Sequence, residues 1–97
     1  MFRIELTPEA TADFRSFRRY DQEQIVGGIE GQLPHHATEP SRNRERLRPN
    51  RLAEWELRIG HFRVFYDVDL DKSLVKIEAI GYKDGSTLFV HGEEYEL

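Results

Sequence analysis

Residues 55–82 read WELRIGHFRVFYDVDLDKSLVKIEAIGY, and this stretch decides the fold. Apolar and polar residues alternate over 55–59 and again over 62–68, with Gly60 and His61 between the two runs. Such alternation is typical of half-buried strands, and a two-residue break that contains glycine predicts a hairpin turn. Because the alternation resumes after a short polar segment, we expect three consecutive antiparallel strands.

A two-residue turn at Gly60 and His61 fixes which side chains of the hairpin face each other. The predicted apolar pairs are Ile59 with Phe62, Leu57 with Val64, and Trp55 with Tyr66. On the other face the same register places Arg58 opposite Arg63. Like charges directly opposite each other cost stability, so we interpret this pair as part of an anion site. The alternative is a solvated face that is neutralised by Glu56 and Glu78.

The third strand extends this division into one core face and one open face. Its alternation predicts Val75, Ile77 and Ala79 on the core face, and Lys76, Glu78 and Ile80 on the face of the arginines. Phe65 also falls on the open face by the same parity. We therefore expect Phe65 and Ile80 to be exposed unless residues 88–90 or another protein covers them.

Upstream of the hairpin, the sequence predicts one strand and two helices. Residues 2–6 alternate as a strand, and Thr7 with Pro8 forms a helix start. The apolar stripe of this first helix leaves Asp13 on a different side, and a second helix runs from about Asp21 to Pro34. The expected order is β-α-α-β-β-β, an α+β fold with both N-terminal helices on the apolar face of an antiparallel sheet.

Composition narrows the classes of protein to which the chain can belong. Its 97 residues are 38% hydrophobic and 33% charged, which indicates a single globular domain over residues 1–97. It has no cysteine, so disulfide and thiolate chemistry are excluded, and no ligand spacing indicates a metal site. No apolar run approaches the roughly 20 residues of a membrane span, and we expect a cytoplasmic protein. The net charge of −4 argues against bulk attraction to nucleic acid.

Positive charge is concentrated in the segment that precedes the hairpin. The sequence RNRERLRPNR contains five arginines against one glutamate: Arg42, Arg44, Arg46, Arg48 and Arg51. This segment is either a surface that meets RNA or another partner through phosphates, or a solvated loop.

The element order and three sequence segments resemble the RelE/ParE superfamily of bacterial toxins. The segments are Leu47-Arg48, LRIGHFRVFYDVD at residues 57–69, and IGYKDGSTLFVHGEEYEL at residues 80–97. The resemblance implies the toxin of a toxin–antitoxin pair with a cognate antitoxin as partner, alone or in a larger oligomer. In the RelE-like branch it implies cleavage of mRNA on the ribosome, without metal or cofactor.

The resemblance also implies roles for individual residues. Arg63 matches the strand arginine that grips the scissile phosphate, and Arg58 and Lys83 match nearby basic positions. Phe89 stands where relatives carry a tyrosine or histidine that exchanges a proton. The candidates to replace that group are His61, Tyr82, His91 and Tyr95, and we place His61 with the catalytic residues.

Two functions of different class are compatible with the sequence. The first is a ribosome-dependent endoribonuclease toxin. The second is a binding module of the same fold that performs no catalysis, either a ParE-like inhibitor of gyrase or a decayed toxin that only binds its antitoxin. In both, we expect the antitoxin to cover the open face, with Phe65 and Ile80 as its contacts.

Overall fold

The computed structural model describes residues 1–97. Its elements are β1 (Arg3–Leu6), α1 (Pro8–Ser16), α2 (Arg19–His36), β2 (Arg44–Arg46), β3 (Trp55–Ile59), β4 (Phe62–Asp69), β5 (Leu74–Asp84), β6 (Thr87–Val90) and β7 (Glu93–Tyr95). Both helices pack on one face of the sheet, so the predicted α+β fold is confirmed. The prediction missed β2, β6 and β7. No helix is long and apolar enough to span a membrane.

The predicted register of the β3–β4 hairpin is confirmed at every pair. Trp55 faces Tyr66, Leu57 faces Val64, Ile59 faces Phe62, and Arg58 faces Arg63. The apolar side of this hairpin forms the centre of the main core together with Ala10, Ile25, Ile29 and Leu33 of the helices. The Tyr66 hydroxyl donates a hydrogen bond to the Ala37 carbonyl at 2.8 Å, and burial raises its pKa.

A β-bulge changes the parity of β5 halfway along the strand. Phe65 pairs with Ala79 and Tyr66 pairs with Ile77, which leaves Glu78 as an extra residue between the two pairs. An extra residue exchanges the two faces of every residue after it. Ile80 therefore joins the main core and Ala79 turns to the arginine side, so the predicted faces of both residues are wrong.

A second, smaller core covers part of the face that we expected to be open. Phe65 does lie on the arginine side, but it is 0% exposed and packs with Ala79, Leu88 and Val90. Ile80 is 1% exposed in the main core. The expected surface of two exposed apolar residues is thus absent, because the chain's own strand β6 covers one of them and the bulge buries the other.

Helix α1 fills a gap along the edge of β5. Strand β1 pairs in parallel with β5 as far as Ile77, whereas the prediction was a wholly antiparallel sheet. Strand β6 pairs with the same side of β5, but only from Tyr82 onwards. Between them, the Thr7 hydroxyl donates to the Glu78 carbonyl at 3.3 Å, and the Ile80 amide donates to Asp13 Oδ2 at 3.0 Å. Asp13 is consequently buried, contrary to the prediction that it points away from the core.

Helix α2 is longer than predicted and lies close to the sheet. It begins at Arg19 and continues past Pro34 to His36, and the Pro34 carbonyl accepts a hydrogen bond from the Phe2 amide at 2.8 Å. At Gly28 an added Cβ would lie 2.4 Å from the Ile59 side chain, so glycine permits the close approach of α2 to β3.

The bulge gives Glu78 an unusual titration. The pKa of Glu78 is raised to about 7, first by burial and then by a hydrogen bond with Asp67 and the charge of Asp67. The protonated folded form therefore adds stability below the ordinary carboxyl pKa, and that stability is lost as pH rises through about 7.

Replacement of Glu78 by glutamine should therefore change how stability depends on pH. We expect Glu78→Gln to raise the melting temperature above that of the wild type at pH 8 and to leave it nearly unchanged at pH 4 to 5, because the wild-type side chain is then already neutral. Thermal unfolding across this range measures the effect, with Glu30→Gln as a control on the exposed side of α2. Equal shifts at both pH values would contradict this explanation.

Candidate functional site: a basic cleft

The arginine face and the segment before the hairpin enclose a cleft of about 1030 Å³. Its charged lining consists of Arg46, Arg48, Arg58, Arg63 and Lys83 with Glu45, Glu56 and Glu96. Because Arg46 pairs with Trp55 and so turns its guanidinium to the opposite face, this region holds four cations against three acidic side chains in a chain whose net charge is −4. We call it the basic cleft.

Three adjacent strands bring the three predicted cations together in the basic cleft. Arg58 on β3 pairs directly with Arg63 on β4, and Arg63 pairs with Gly81 on β5. Lys83 follows Gly81 by two residues and so lies on the same face. Lys83 lies on this face because of the bulge at Glu78. Without the extra residue, Lys83 would share the face of Val75 and Ile77 and would point towards the helices.

Arg63 has no ion-pair partner within the chain, in contrast to Arg58. Its Nη1 donates to the carbonyls of Gly60 and Phe62 at 2.8 and 2.9 Å, whereas its buried Nε has no partner. Burial lowers the pKa of Arg63, the charge of Arg58 lowers it further, and Glu56 acts in the opposite direction. The two carbonyls hold the guanidinium in place at the wall of the cleft.

Arg58 is partly neutralised within the chain. Its Nε lies 3.3 Å from Glu56 Oε1, and the Glu56 side chain is only 7% exposed. The sequence alternative of a neutralised face is therefore correct for Arg58 and Glu56. Glu78 takes no part in it, because its side chain is hydrogen-bonded with Asp67.

The five arginines of residues 42–51 do not act as one patch. Arg48 lines the basic cleft. Arg46 borders it, but its guanidinium lies on the opposite face, 5.8 Å from the centre of the Trp55 ring and 3.7 Å from Glu54. Arg44 instead faces helix α2, where its side chain donates to the Gln32 amide oxygen and the Glu39 carbonyl. Arg42 and Arg51 are exposed and lie outside the cleft lining.

Of the four predicted proton-exchanging groups, only Tyr95 lines the basic cleft. His61 is exposed at the β3–β4 turn with its ring against Phe62, so its expected place among the catalytic residues is not supported. Tyr82 stacks on Phe89 at a ring distance of 5.2 Å and lies on the opposite face. His91 is hydrogen-bonded to Asp13 at 2.8 Å.

Sequence reasoning missed two acidic members of the cleft. Glu45 lies on β2 directly opposite Glu56, and Glu96 follows β7. The alternation of RERLR at residues 44–48 is the signal that could have identified β2 and its cleft-facing Glu45. No cluster of histidine and carboxylate side chains with the arrangement of a metal site occurs in the structure.

Two solved toxin–antitoxin complexes contain chains with a similar fold. A chain of the RelBE2 complex from Mycobacterium tuberculosis matches with a TM-score of 0.70 and 22% identity, covering 84% of this chain and 98% of its own. A chain of the YoeB-YefM complex from Staphylococcus aureus matches with a TM-score of 0.63 and 25% identity, covering 87% and 99%. The first likeness, at this identity, concerns the fold alone.

Comparison with curated proteins finds no match. At the level of families, residues 4–85 match the sequence model described as the ParE toxin of the type II toxin–antitoxin system parDE. This match spans the helices, the β3–β4 hairpin and all three strand cations of the basic cleft. The chain therefore belongs to the ParE toxin family of type II toxin–antitoxin systems, within the RelE/ParE superfamily.

Proposed function

We propose that this toxin inhibits translation by cleaving mRNA on the ribosome. The observation that carries the proposal is the convergence of Arg58, Arg63 and Lys83 from three strands into one cleft, with the Nε of Arg63 unpartnered. A phosphate that enters the cleft would meet the guanidinium of Arg63, which two backbone carbonyls already hold in position. Such preorganised charge is the main requirement for stabilising a phosphorane.

The reaction needs no group beyond those of the RNA and the cleft. The 2′-hydroxyl oxygen forms a bond to the adjacent phosphorus, and the bond from phosphorus to the 5′ oxygen breaks. One proton leaves the 2′-hydroxyl and one is delivered to the 5′ oxygen, which yields a cyclic phosphate and a 5′-hydroxyl. Arg63 and Lys83 stabilise the charge that develops on the phosphate oxygens.

Glu45 and Tyr95 are the groups that we assign to proton exchange. Both line the basic cleft. Glu56 is less suited because it is buried against Arg58, whereas Glu45 is exposed. Glu45 would accept the 2′ proton, and the Tyr95 hydroxyl would protonate the leaving oxygen.

Contact with ribosomal RNA must be local in a chain of net charge −4. Positive charge for such contact is supplied by the segment before the hairpin, through Arg48 in the lining of the basic cleft and the exposed Arg42 and Arg51. Their flexible side chains suit phosphate contacts, which position a complex without reading its sequence.

Inhibition of gyrase is the second candidate function. It is favoured by the family match, because the family is that of the ParE toxin. Programmed ribosomes incubated with the purified toxin, and gyrase in a supercoiling assay, separate the two functions. We expect cleaved message with a 5′-hydroxyl end and unimpaired supercoiling. Loss of supercoiling with intact message would overturn the proposal in favour of gyrase.

We also propose that an antitoxin is the partner of this toxin, because both similar structures are toxin–antitoxin complexes. Its acidic side chains would lie over the basic cleft, where four cations exceed three acidic side chains. Since Phe65 and Ile80 are buried, they are not its contacts. Amide exchange of the complex should show new protection along β2 and β7. Protection confined to the apolar groove beside β1, which Leu6 and Val26 line, would contradict this placement.

A further inference from the structure

A buried carboxylate joins the first helix to the last hairpin of the chain. Asp13 on α1 is 7% exposed, and its Oδ1 lies 2.8 Å from Nδ1 of His91. Its other oxygen accepts the Ile80 amide at 3.0 Å. Both carboxylate oxygens of Asp13 have a hydrogen-bond partner, so its burial leaves neither of them unpaired. The hydrogen bond to His91 is stronger than one between two neutral groups, because its acceptor is a carboxylate.

His91 occupies a position at which a histidine is an unusual choice. It forms with Gly92 the two-residue turn between β6 and β7, and both residues have positive φ, 55° and 78°. Turns of this kind favour asparagine followed by glycine, since most other side chains are strained at positive φ. The histidine side chain makes the hydrogen bond to Asp13, which the turn itself does not require.

The hairpin of β6 and β7 forms one wall of the basic cleft. Leu88 and Tyr95 belong to it, Glu96 directly follows it, and all three line the cleft. Strand β6 pairs with β5 at only three positions, and the turn that contains His91 lies beyond the last of them. Two strands of four and three residues are not stable alone. The far end of the wall therefore depends on the packing of Val90 and on the bond to Asp13.

We propose that His91 is a positioning residue for the basic cleft: its hydrogen bond to Asp13 holds the β6–β7 hairpin against α1 and so keeps Tyr95 facing Arg63 and Lys83. The effect of His91 on cleavage rests on the proposed function, whereas its effect on the position of the β6–β7 hairpin does not. His91 itself touches neither the cleft nor the phosphate that would enter it.

Two substitutions at His91 separate the hydrogen bond from the backbone strain. His91→Gly relieves the positive φ and removes the donor. His91→Asn also tolerates positive φ, but its side-chain amide can donate to Asp13 in place of Nδ1. Substitution of Asp13 is less informative, because it would also leave the Ile80 amide unpaired.

Native-state amide exchange in full-length protein is the first measurement. In His91→Gly we expect the amides of β6 and β7 to exchange about 10-fold faster, as loss of one hydrogen bond to a charged group implies. In His91→Asn they should exchange nearly as in the wild type. The amides of the β3–β4 hairpin should be unchanged in both variants. Wild-type exchange of β6 and β7 in His91→Gly would overturn the proposal.

Message cleavage on programmed ribosomes is the second measurement, at a temperature where every variant is folded. We expect His91→Gly to reduce kcat by about 10-fold with a smaller change in KM, and His91→Asn to restore it. In a Tyr95→Phe background, His91→Gly should have no further effect on kcat, because the group that it positions is gone. Independent effects would contradict positioning through Tyr95. If the wild type cleaves no message, the proposed function fails, and the exchange rates still decide whether His91 holds the hairpin.

Discussion

Arg63→Ala should lower the rate of message cleavage on programmed ribosomes by about 100- to 1000-fold, the usual cost of removing one preorganised group that stabilises developing charge. The chain supplies no ion-pair partner for Arg63, whose Nη1 meets only backbone carbonyls. Loss of Arg63 removes positive charge from the cleft and leaves Glu56 with Arg58 as its remaining positive neighbour. Single-turnover cleavage at saturating toxin measures the effect on the chemical step.

Two variants provide the controls for this substitution. Arg15→Ala removes the same charge from an exposed position on α1, outside the cleft, so we expect less than a threefold change. Arg63→Lys keeps the charge but lacks the fork of donors, and its activity should fall between the wild type and Arg63→Ala. Equal effects of Arg63→Ala and Arg15→Ala would show that the toxin uses only overall charge. Cleavage that persists in Arg63→Ala would remove the basic cleft from the mechanism.

The β3–β4 hairpin could be predicted from the sequence because its information is local. Alternation and a two-residue turn determine which residues of adjacent strands face each other, so the pair of Arg58 and Arg63 follows without knowledge of the rest of the chain. The parity of β5 could not be predicted in this way. The bulge at Glu78 depends on the packing of Ile80 under the helices and of Ala79 under β6, and neither packing leaves a pattern in the strand itself.

For a similar reason, only some of the residues that form or support the basic cleft could be predicted from the sequence. Lys83 was placed with the arginines through a resemblance, and the structural cause of that placement is the bulge. The pair of Asp13 and His91 joins residues that are 78 positions apart. The periodicity of the sequence does not reveal a contact between residues so far apart, because each of them, taken alone, is a polar side chain on a helix or in a turn.

Phe65→Ala should destabilise the protein by about 3–5 kcal/mol, the typical cost of emptying a fully buried aromatic site. Phe65 is 0% exposed on the arginine side of the sheet, where it packs with Ala79, Leu88 and Val90. The substitution would leave a cavity between β4 and β6, and β6 has only three paired positions with β5 to hold it. The free energy of unfolding in urea measures the loss.

An exposed apolar residue of a neighbouring turn supplies the matched control. Leu70 follows β4 and is 70% exposed, so Leu70→Ala should change stability by less than about 0.5 kcal/mol. Phe65→Leu retains most of the buried volume and should cost clearly less than Phe65→Ala. If Phe65→Ala proved as mild as Leu70→Ala, Phe65 would lie at a surface, the second core would be absent, and β6 with β7 would no longer form a wall of the basic cleft.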